Sequence, residues 1–287
     1  MRITSQIKQL IRLALKEDIG TGDITTSFLV KPNNKAKAII LAKSKGILCG
    51  LPVCQEVFRV VDRGLKFRIW HQDGDLVKPK DGIVEIEGKT CSILTAERTA
   101  LNFLQHLSGI ATLTHEFVQR ARGTSVGIYD TRKTTPGWRG LEKYAVKAGG
   151  GKNHRMGLYD QILIKDNHLR VVGSIKKAVI QAKAKNKKKL LVEVETKNLQ
   201  EVKEALSAGA DWVMLDNYSL PQIRKAVKLI RQFSKTHRKK ITIEVSGNIG
   251  LKNVGQMAQA KPDLISVGQL THSAPASDFS LKIIKSR

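Results

Sequence analysis

The stretch that decides the fold is DTRKTTPGWRGLEKYAVKAGGGKNHRMGLYDQILIKDNH, which occupies residues 130–168. One short apolar run precedes it, at residues 126–129, and a second lies near its end, at residues 162–164. Both runs are typical of buried strands, and charged and polar side chains follow each of them directly. In α/β folds, ligands bind just past the ends of the strands. The stretch therefore predicts an α/β fold with a binding site at the strand ends.

Beyond this stretch, apolar strand-like runs alternate with amphipathic helices. The predicted strands end near Asp130, Lys165, Glu195, Asp216, Ser246 and Gly268. Helices such as residues 199–208 and 221–233 separate most of these strands. This alternation predicts a parallel sheet, which either closes as an α/β barrel or stays open. Because only about six strands are found, an ordinary eight-stranded barrel is not supported.

Residues 1–108 follow a different pattern. Apolar residues from Ile3 to Ala14 recur at helical spacing, and the Gly/Asp-rich residues 17–23 end that helix, which we interpret as a plain turn. Short alternating runs predict an antiparallel sheet and occupy residues 38–41, 66–70 and 83–86. Thr95 is predicted to cap a further helix, and the strand–helix alternation is predicted to begin at Gly109.

Length and composition favour a globular protein of one large or two ordinary domains. The chain has 287 residues, 41% of them hydrophobic, which is enough for a substantial core. Its first residues lack the apolar segment of a signal peptide, and no apolar run is long enough to span a membrane. The three cysteines have no metal-binding spacing, which is typical of a reduced compartment. These features predict a cytoplasmic protein without membrane association.

The formal net charge of +25 comes largely from two lysine-rich segments. Residues 176–189 hold seven lysines and residues 224–240 hold eight lysines or arginines, and neither segment contains an acid. Nucleic-acid binding is one interpretation of such segments. The alternative is a pair of amphipathic helices whose lysines occupy the solvated faces. We favour the alternative, because no exposed aromatic residues interleave with the lysines.

The residues at the predicted strand ends carry a mixed set of charges. Arg132, Lys133, His154, Arg155 and Lys165 are basic, and Glu195 and Asp216 are acidic. Several cations gathered at one face suit a ligand with several negative charges. The two acids would repel that ligand unless a divalent cation, such as Mg²⁺, or a ribose hydroxyl lies between them. Taken singly, each residue has a structural explanation: His154 as a hydrogen-bonded core histidine, for example, or Glu195 as a solvated strand end.

Small residues end the last two predicted strands. Ser246, Gly247 and Asn248 follow one strand, and Val267, Gly268 and Gln269 follow the other. Backbone N–H groups in such loops can bind a phosphate, although the signal is weak on its own. The glycine cluster at residues 149–151 is expected to let the backbone approach a ligand closely, and it matches no nucleotide-binding motif.

The sequence resembles the quinolinate phosphoribosyltransferases, also called nicotinate-nucleotide pyrophosphorylases (carboxylating). The resemblance rests on TRKTTPG, LEKYAVKAGGGKNHRMGLYD and IKDNH in the central stretch. It extends in order through EDIGTGDITT, GLPVCQEVF, AERTALNFLQHLSGIAT, VEVET, LDN, EVSGNI and ISVGQLTHSAPASDFSLKI. These segments span nearly the whole chain, and together they are specific.

The resemblance implies a fold of the type II phosphoribosyltransferase kind. Residues 1–108 would form an N-terminal α/β sandwich domain. Residues 109–272 would form an incomplete α/β barrel of about six strands, and residues 273–287 would return to the first domain. A homodimer with shared active sites is also implied.

The resemblance implies that quinolinate and phosphoribosyl pyrophosphate give nicotinate mononucleotide, pyrophosphate and carbon dioxide, with Mg²⁺ and no organic cofactor. Arg132, His154, Arg155 and Lys165 would hold quinolinate, with Arg98 contributed by the second subunit. The substrate-binding set would also include Thr131, Lys133, Glu195, Asp216, Ser246, Gly247, Asn248, Val267, Gly268 and Gln269. The catalytic residues would be Lys133, Lys165, Glu195 and Asp216, and Glu195 and Asp216 would serve the metal. Rival hypotheses are a related phosphoribosyltransferase acting on nicotinate or another anionic ring, and a basic nucleic-acid-binding protein.

Overall fold

The computed structural model describes residues 1–286 and divides the chain into two compact units. Unit 1 consists of Met1–His115, Thr135–Gly150 and the segment from Ser273 onward, and unit 2 consists of Glu116–Thr134 and Gly151–His272. These units differ from the predicted ranges 1–108, 109–272 and 273–287 at residues 109–115 and 135–150, which belong to unit 1. The predicted last range also includes Arg287, which lies outside the described residues.

The elements follow one another in a regular order. The helices are α1 (Ser5–Ile19), α2 (Ile24–Leu29), α3 (Leu51–Val61), α4 (Thr90–Arg120), α5 (Arg139–Ala148), α6 (Asp166–Val172), α7 (Ile175–Lys185), α8 (Leu199–Ser207), α9 (Leu220–His237), α10 (Val254–Gln259) and α11 (Gln269–His272). The strands are β1 (Lys35–Ala42), β2 (Gly46–Ile47), β3 (Lys66–Ile69), β4 (Leu76–Val77), β5 (Gly82–Lys89), β6 (Gly127–Tyr129), β7 (Ile162–Ile164), β8 (Val192–Thr196), β9 (Trp212–Asp216), β10 (Thr242–Ser246), β11 (Leu264–Ser266) and β12 (Phe279–Ser286).

Unit 1 contains a four-stranded antiparallel sheet in the order β12-β1-β5-β3. Every second residue of β1 is buried, from Ala36 to Ala42, which is the pattern of a strand with one face on the core. The sheet confirms the antiparallel arrangement predicted for residues 1–108. β12 lies at its edge and pairs with β1, so a segment late in the sequence completes a sheet that begins near residue 35.

Helix α4 corrects two sequence-based predictions. It begins at Thr90, directly after β5, so Thr95 lies inside the helix and does not cap it. The Thr95 hydroxyl instead donates a hydrogen bond to the Asp23 carboxylate, 3.2 Å away. The strand–helix alternation also begins later than predicted, since α4 continues through Gly109 to Arg120. The Pro275 carbonyl lies so close to Gly109 that a side chain there would collide with it.

Residues 135–150 belong to unit 1 because their side chains are anchored on α4. The Trp138 ring stacks on Phe103 with 4.6 Å between ring centroids. The fully buried Glu142 accepts a hydrogen bond from the Thr135 N–H and lies 2.9 Å from Nε2 of His106. These contacts join residues far apart in the sequence, so the alternation pattern could not assign the segment.

Unit 2 contains a parallel sheet of six strands in the order β6-β11-β10-β9-β8-β7. From β7 onward, helices of unit 2 separate strands that follow one another in the sequence, whereas α5, between β6 and β7, belongs to unit 1. The six predicted strands are all present and end within two residues of the predicted positions. Within residues 1–286, β6 and β7 form no ladder with each other, so the barrel is incomplete. Among the helices of residues 1–286, none is both long and apolar enough to cross a membrane.

Candidate active site

A cavity of about 680 Å³ lies at the carboxyl ends of the strands of unit 2. It brings together every predicted site residue except Arg98: Thr131, Arg132, Lys133, His154, Arg155, Lys165, Glu195, Asp216, Ser246, Gly247, Asn248, Val267, Gly268 and Gln269. Parallel strands present their carboxyl ends at one edge of a sheet, which explains why residues scattered over the sequence meet here.

The cavity is lined by two layers of side chains. The outer layer includes Lys165, Glu195 and Asp216, which lie at the strand ends. A residue two positions earlier points to the same side of a strand, so Glu193 and Met214 belong to the layer beneath. Met214 lines the cavity, whereas Glu193 is fully buried below it. The same spacing relates Glu244 to Ser246. Sequence analysis missed this inner layer, although the spacing of two from the predicted residues is a signal that could have found it.

Opposite charges meet in the outer layer. The Nζ atom of Lys165 lies 3.8 Å from Oε2 of Glu195. Burial raises the pKa of Glu195, and the neighbouring Lys165 opposes that rise. Arg132 and Arg155 both line the cavity, and burial together with the charge of Arg132 lowers the pKa of Arg155. The arrangement suits an anion that binds both arginines.

The backbone of Lys133 is fixed on both sides. Its N–H donates to the Thr131 hydroxyl oxygen at 3.0 Å, and its carbonyl accepts from the Thr271 hydroxyl at 2.7 Å. A side chain on Gly268 would lie only 2.9 Å from Cδ of Lys133. The absence of a side chain at Gly268 therefore leaves room for the side chain of Lys133.

The loop after β10 contains two consecutive residues in the left-handed region of backbone conformation. Gly247 and Asn248 both have positive φ, at 89° and 51°. A side chain on Gly247 would collide with Asn217, whose N–H donates to the Ser246 carbonyl at 2.9 Å. Gln269 donates to the Ile249 carbonyl at 2.8 Å and ties this loop to the end of β11. Successive N–H groups in such a turn can bind a phosphate.

A buried cluster forms the floor of the cavity. Nε2 of His154 lies 3.1 Å from Oε2 of Glu244 and 3.5 Å from Oε2 of Glu193. Both carboxylates are fully buried, and the His154 side chain is only 6% exposed. Gln161 donates to Glu193 at 2.7 Å. The Arg155 N–H donates to Nδ1 of His154 at 2.7 Å.

The hydrogen bonds of His154 indicate which ring nitrogen carries hydrogen. Burial opposes protonation, while Glu193 and Glu244 raise the pKa of His154 above its ordinary value. The Arg155 N–H needs a lone pair on Nδ1, however, and a doubly protonated ring has none. We therefore assign the hydrogen to Nε2, which donates it to the carboxylates. His154, Glu193 and Glu244 lie close enough together to hold a metal ion, but a protonated Nε2 is no ligand, so we interpret the cluster as hydrogen-bonded.

Arg98 lies in unit 1, on the exposed face of α4. It lines a separate cavity of about 340 Å³, together with residues of the segment 18–24. Asp23 organises that segment: it accepts from the N–H and hydroxyl of Thr26 and from the hydroxyl of Thr95. The Gly/Asp-rich stretch thus contains a helix cap for α2 and also contacts the helix that carries Arg98.

The glycine cluster at residues 149–151 lies outside the lining of the candidate site. None of the three glycines lines the cavity of unit 2. Gly149 and Gly150 end α5 in unit 1, and a side chain on Gly149 would collide with the Ala111 carbonyl of α4. The lack of a side chain therefore serves helix packing at Gly149.

Two family models match the sequence over most of its length. The model described as "Quinolinate phosphoribosyl transferase, N-terminal domain" matches residues 23–108. The model described as "Quinolinate phosphoribosyl transferase, C-terminal domain" matches residues 110–282. The chain belongs to the quinolinate phosphoribosyltransferase family.

Individual members of the quinolinate phosphoribosyltransferase family are similar along the whole chain. A probable nicotinate-nucleotide pyrophosphorylase (carboxylating) of Methanocaldococcus jannaschii is 42% identical, over 96% of this chain and 97% of that protein. The solved structure of NadC from Streptococcus pyogenes has a TM-score of 0.93 at 42% identity, covering 100% of this chain and 99% of that one. The nicotinate-nucleotide pyrophosphorylase structure from Francisella tularensis gives 0.91 at 42% identity, with coverage of 97% and 96%.

The donor chemistry of the cavity fits the Mg²⁺ ion that the resemblance implies. Glu195 and Asp216 lie at the ends of the adjacent strands β8 and β9, and the charge of Asp216 raises the pKa of Glu195, after the larger effect of burial. Carboxylate oxygens are the protein ligands that Mg²⁺ prefers. Mg²⁺ usually binds through one or two carboxylates and takes its other ligands from water and substrate phosphates, so two acids suffice.

Proposed function

We propose that the cavity of unit 2 is where this quinolinate phosphoribosyltransferase joins quinolinate to phosphoribosyl pyrophosphate. The products are nicotinate mononucleotide, which serves NAD biosynthesis, pyrophosphate and carbon dioxide, and the enzyme is a pentosyltransferase. The observation that supports this site most strongly is that one cavity gathers Arg132, Arg155 and Lys165 beside Glu195 and Asp216. A dianionic ring and a phosphorylated ribose need these two kinds of group side by side.

Quinolinate carries two carboxylates, and the cations of the cavity match them. Arg132 and Arg155 offer planar forks of N–H donors, which bind carboxylates in a bidentate manner. Lys165 adds a third charge from the end of β7. A ring with one carboxylate, such as nicotinate, would leave part of this charge unpaired, so the set favours the diacid over its rival.

Phosphoribosyl pyrophosphate would occupy the other half of the cavity. Its 5′-phosphate would accept hydrogen bonds from the loops at residues 246–248 and 267–269. Its pyrophosphate would lie against the side chain of Lys133, whose backbone is fixed by Thr131 and Thr271. The ribose hydroxyls would donate to Glu195 and Asp216.

The reaction follows from these positions. The C1–O bond of the ribose breaks, its electron pair leaves with pyrophosphate, and Lys133 stabilises the departing negative charge. The quinolinate nitrogen then gives its lone pair to C1 and becomes a cationic ring nitrogen. The adjacent carboxylate leaves as carbon dioxide, its bonding pair is held by the cationic ring, and a proton from solvent replaces it. Mg²⁺, when bound, would add positive charge at the pyrophosphate.

Arg98 would reach this site from the second subunit of a homodimer. It is exposed in unit 1, and the nearby helix α2 presents Ile24, Phe28 and Leu29 to solvent at exposures of 64–81%. In unit 2, the loop after Arg155 exposes Leu158 and Tyr159. Apolar surfaces next to both parts of the proposed shared site are what a subunit contact would cover. Cytoplasmic location and the absence of nucleic-acid and membrane partners stay predictions.

An assay of purified protein tests the function directly. Carbon dioxide release should require both quinolinate and phosphoribosyl pyrophosphate, and it should fall when Mg²⁺ is chelated. Isothermal titration with quinolinate and nicotinate separates the two ring substrates. Tighter binding of nicotinate than of quinolinate would show that nicotinate, and not the diacid, is the ring substrate. Strong binding of RNA or DNA that persists in Arg132→Ala would instead support the nucleic-acid hypothesis.

A further inference from the structure

We propose that Glu244, together with Glu193, is a positioning residue that holds Arg155 in the orientation needed for the quinolinate ring. The inference rests on the proposed function, because it concerns the same cavity. Neither glutamate would touch the ring directly. Each acts through a hydrogen-bonded chain that ends on Arg155.

The first chain runs through the backbone of Arg155. Glu244 lies in β10 and accepts from Nε2 of His154, and Nδ1 of His154 accepts from the Arg155 N–H. Both ring nitrogens of His154 are thus engaged within the protein. The His154 N–H is also donated to the buried Asp130, at 2.9 Å. The backbone N–H groups of both His154 and Arg155 are therefore fixed by hydrogen bonds.

The second chain runs through the guanidinium group. Nη1 of Arg155 donates to the Gln161 carbonyl at 3.2 Å. The side-chain amide of Gln161 donates to Glu193 at 2.7 Å, and Glu193 lies 3.5 Å from Nε2 of His154. The backbone and the charged end of Arg155 are consequently tied to the same buried cluster.

The cluster is a poor way to stabilise a fold. Both glutamates are fully buried, and within residues 1–286 one oxygen of each, Oε1, has no hydrogen-bond partner. Burying a carboxylate is unfavourable unless its hydrogen bonds are complete, and well-packed apolar residues often stabilise such a site more. Orientation, rather than stability, is what the cluster supplies. Bidentate binding of a carboxylate depends on that orientation, because a small displacement of the guanidinium breaks one of the two hydrogen bonds.

Two substitutions at Glu244 separate positioning from folding. Glu244→Gln keeps an acceptor for Nε2 of His154, whereas Glu244→Met keeps the volume and removes the acceptor. We expect Glu244→Met to raise both the quinolinate Kd and its KM at least about tenfold, the effect of losing a hydrogen bond to a charged group. Glu244→Gln should restore most of the affinity. The KM for phosphoribosyl pyrophosphate and the melting temperature should both stay close to their wild-type values.

A second variant and a control guard the test against misfolding. Gln161→Leu removes the side-chain hydrogen bond to Glu193 but keeps the main-chain carbonyl that accepts from Arg155. Because the carbonyl is then no longer anchored to the buried cluster, this variant should also weaken quinolinate binding. Thr196→Val removes a different buried hydrogen bond of the same sheet, to the Met214 carbonyl, and should leave quinolinate affinity unchanged. The positioning role would be overturned if Glu244→Met bound quinolinate with wild-type affinity. It would also be overturned if the variant lost affinity equally for both substrates and had a lower melting temperature. Absence of quinolinate binding in the wild-type protein would instead reject the proposed function.

Discussion

Lys165 and Glu195 face each other across the neighbouring strands β7 and β8, with 3.8 Å between Nζ and Oε2. In the proposed complex, Lys165 would bind quinolinate together with Arg132 and Arg155, and Glu195 would serve the ribose together with Asp216, which ends the next strand, β9. The boundary between a dianionic ring and a ribose would therefore run between these two side chains. Substitutions on either side should affect different substrates.

Lys165→Ala should lose quinolinate binding and keep the fold. Lys165 is 46% exposed and packs in no core, so its removal leaves the sheet intact but leaves one carboxylate of the ligand unpaired. The expected cost is about 2–5 kcal/mol of binding free energy, measured by isothermal titration. Lys197→Ala is the matched control, because Lys197 pairs with Asp166 and does not line the cavity. Unchanged quinolinate affinity in Lys165→Ala would refute its role.

Asp216→Asn should reduce turnover more than quinolinate affinity. Asp216 ends β9 on the acidic side of the cavity, where it would serve the ribose or Mg²⁺. The measurements are kcat at limiting and saturating Mg²⁺ and the quinolinate Kd. A variant that turns over normally when Mg²⁺ is limiting would show that Asp216 has only a structural part.

Mixing two inactive variants tests whether Arg98 acts in the second subunit. Arg98→Ala and Lys165→Ala should each be inactive as homodimers. In a mixed dimer with shared sites, one site carries both substitutions and the other carries neither. Random exchange makes about half of the dimers mixed, so about a quarter of all sites should recover. If exchange is verified and activity stays absent, Arg98 acts within its own chain.

Asp23→Asn should destabilise the protein in a pH-dependent way. Hydrogen bonds from the hydroxyl and N–H of Thr26 lower the pKa of Asp23 below its ordinary value of 3.8. A depressed carboxyl pKa contributes stability that is present above the ordinary value and is lost as pH falls through the folded-state value. The difference in melting temperature between wild type and Asp23→Asn should therefore shrink when pH is lowered from 7 towards 3. A constant difference would mean that the charge of Asp23 plays no part.

The sequence predicted the parallel sheet because each of its strands is apolar and each is followed by a polar or small residue. It also predicted which outer residues meet, since parallel strands share one edge. Contacts between distant segments were not predictable in this way. The place of residues 135–150 depends on the stacking of Trp138 on Phe103, and the true start of α4 depends on a strand that runs into the helix without a loop.

The inner layer of the site was missed for a different physical reason. Glu193 and Glu244 each lie between two apolar residues, in strands that the pattern indicated as buried. The pattern therefore gave these two acids no separate meaning. Their significance appears only when His154 is placed between them by the loop that follows residue 151. The periodicity of one segment indicates which face of a strand a residue occupies. It does not indicate which side chain from a distant segment will contact that residue.

The pairing of β12 with β1 has a consequence for synthesis on the ribosome. All of unit 2 lies between these strands in the sequence, so unit 2 can emerge and fold while the sheet of unit 1 still lacks its edge. Until β12 arrives, β1 exposes a row of unpaired N–H and C=O groups, which invites pairing with the wrong chain. During synthesis, the unit 1 sheet of this enzyme should thus depend on chaperone protection for longer than unit 2.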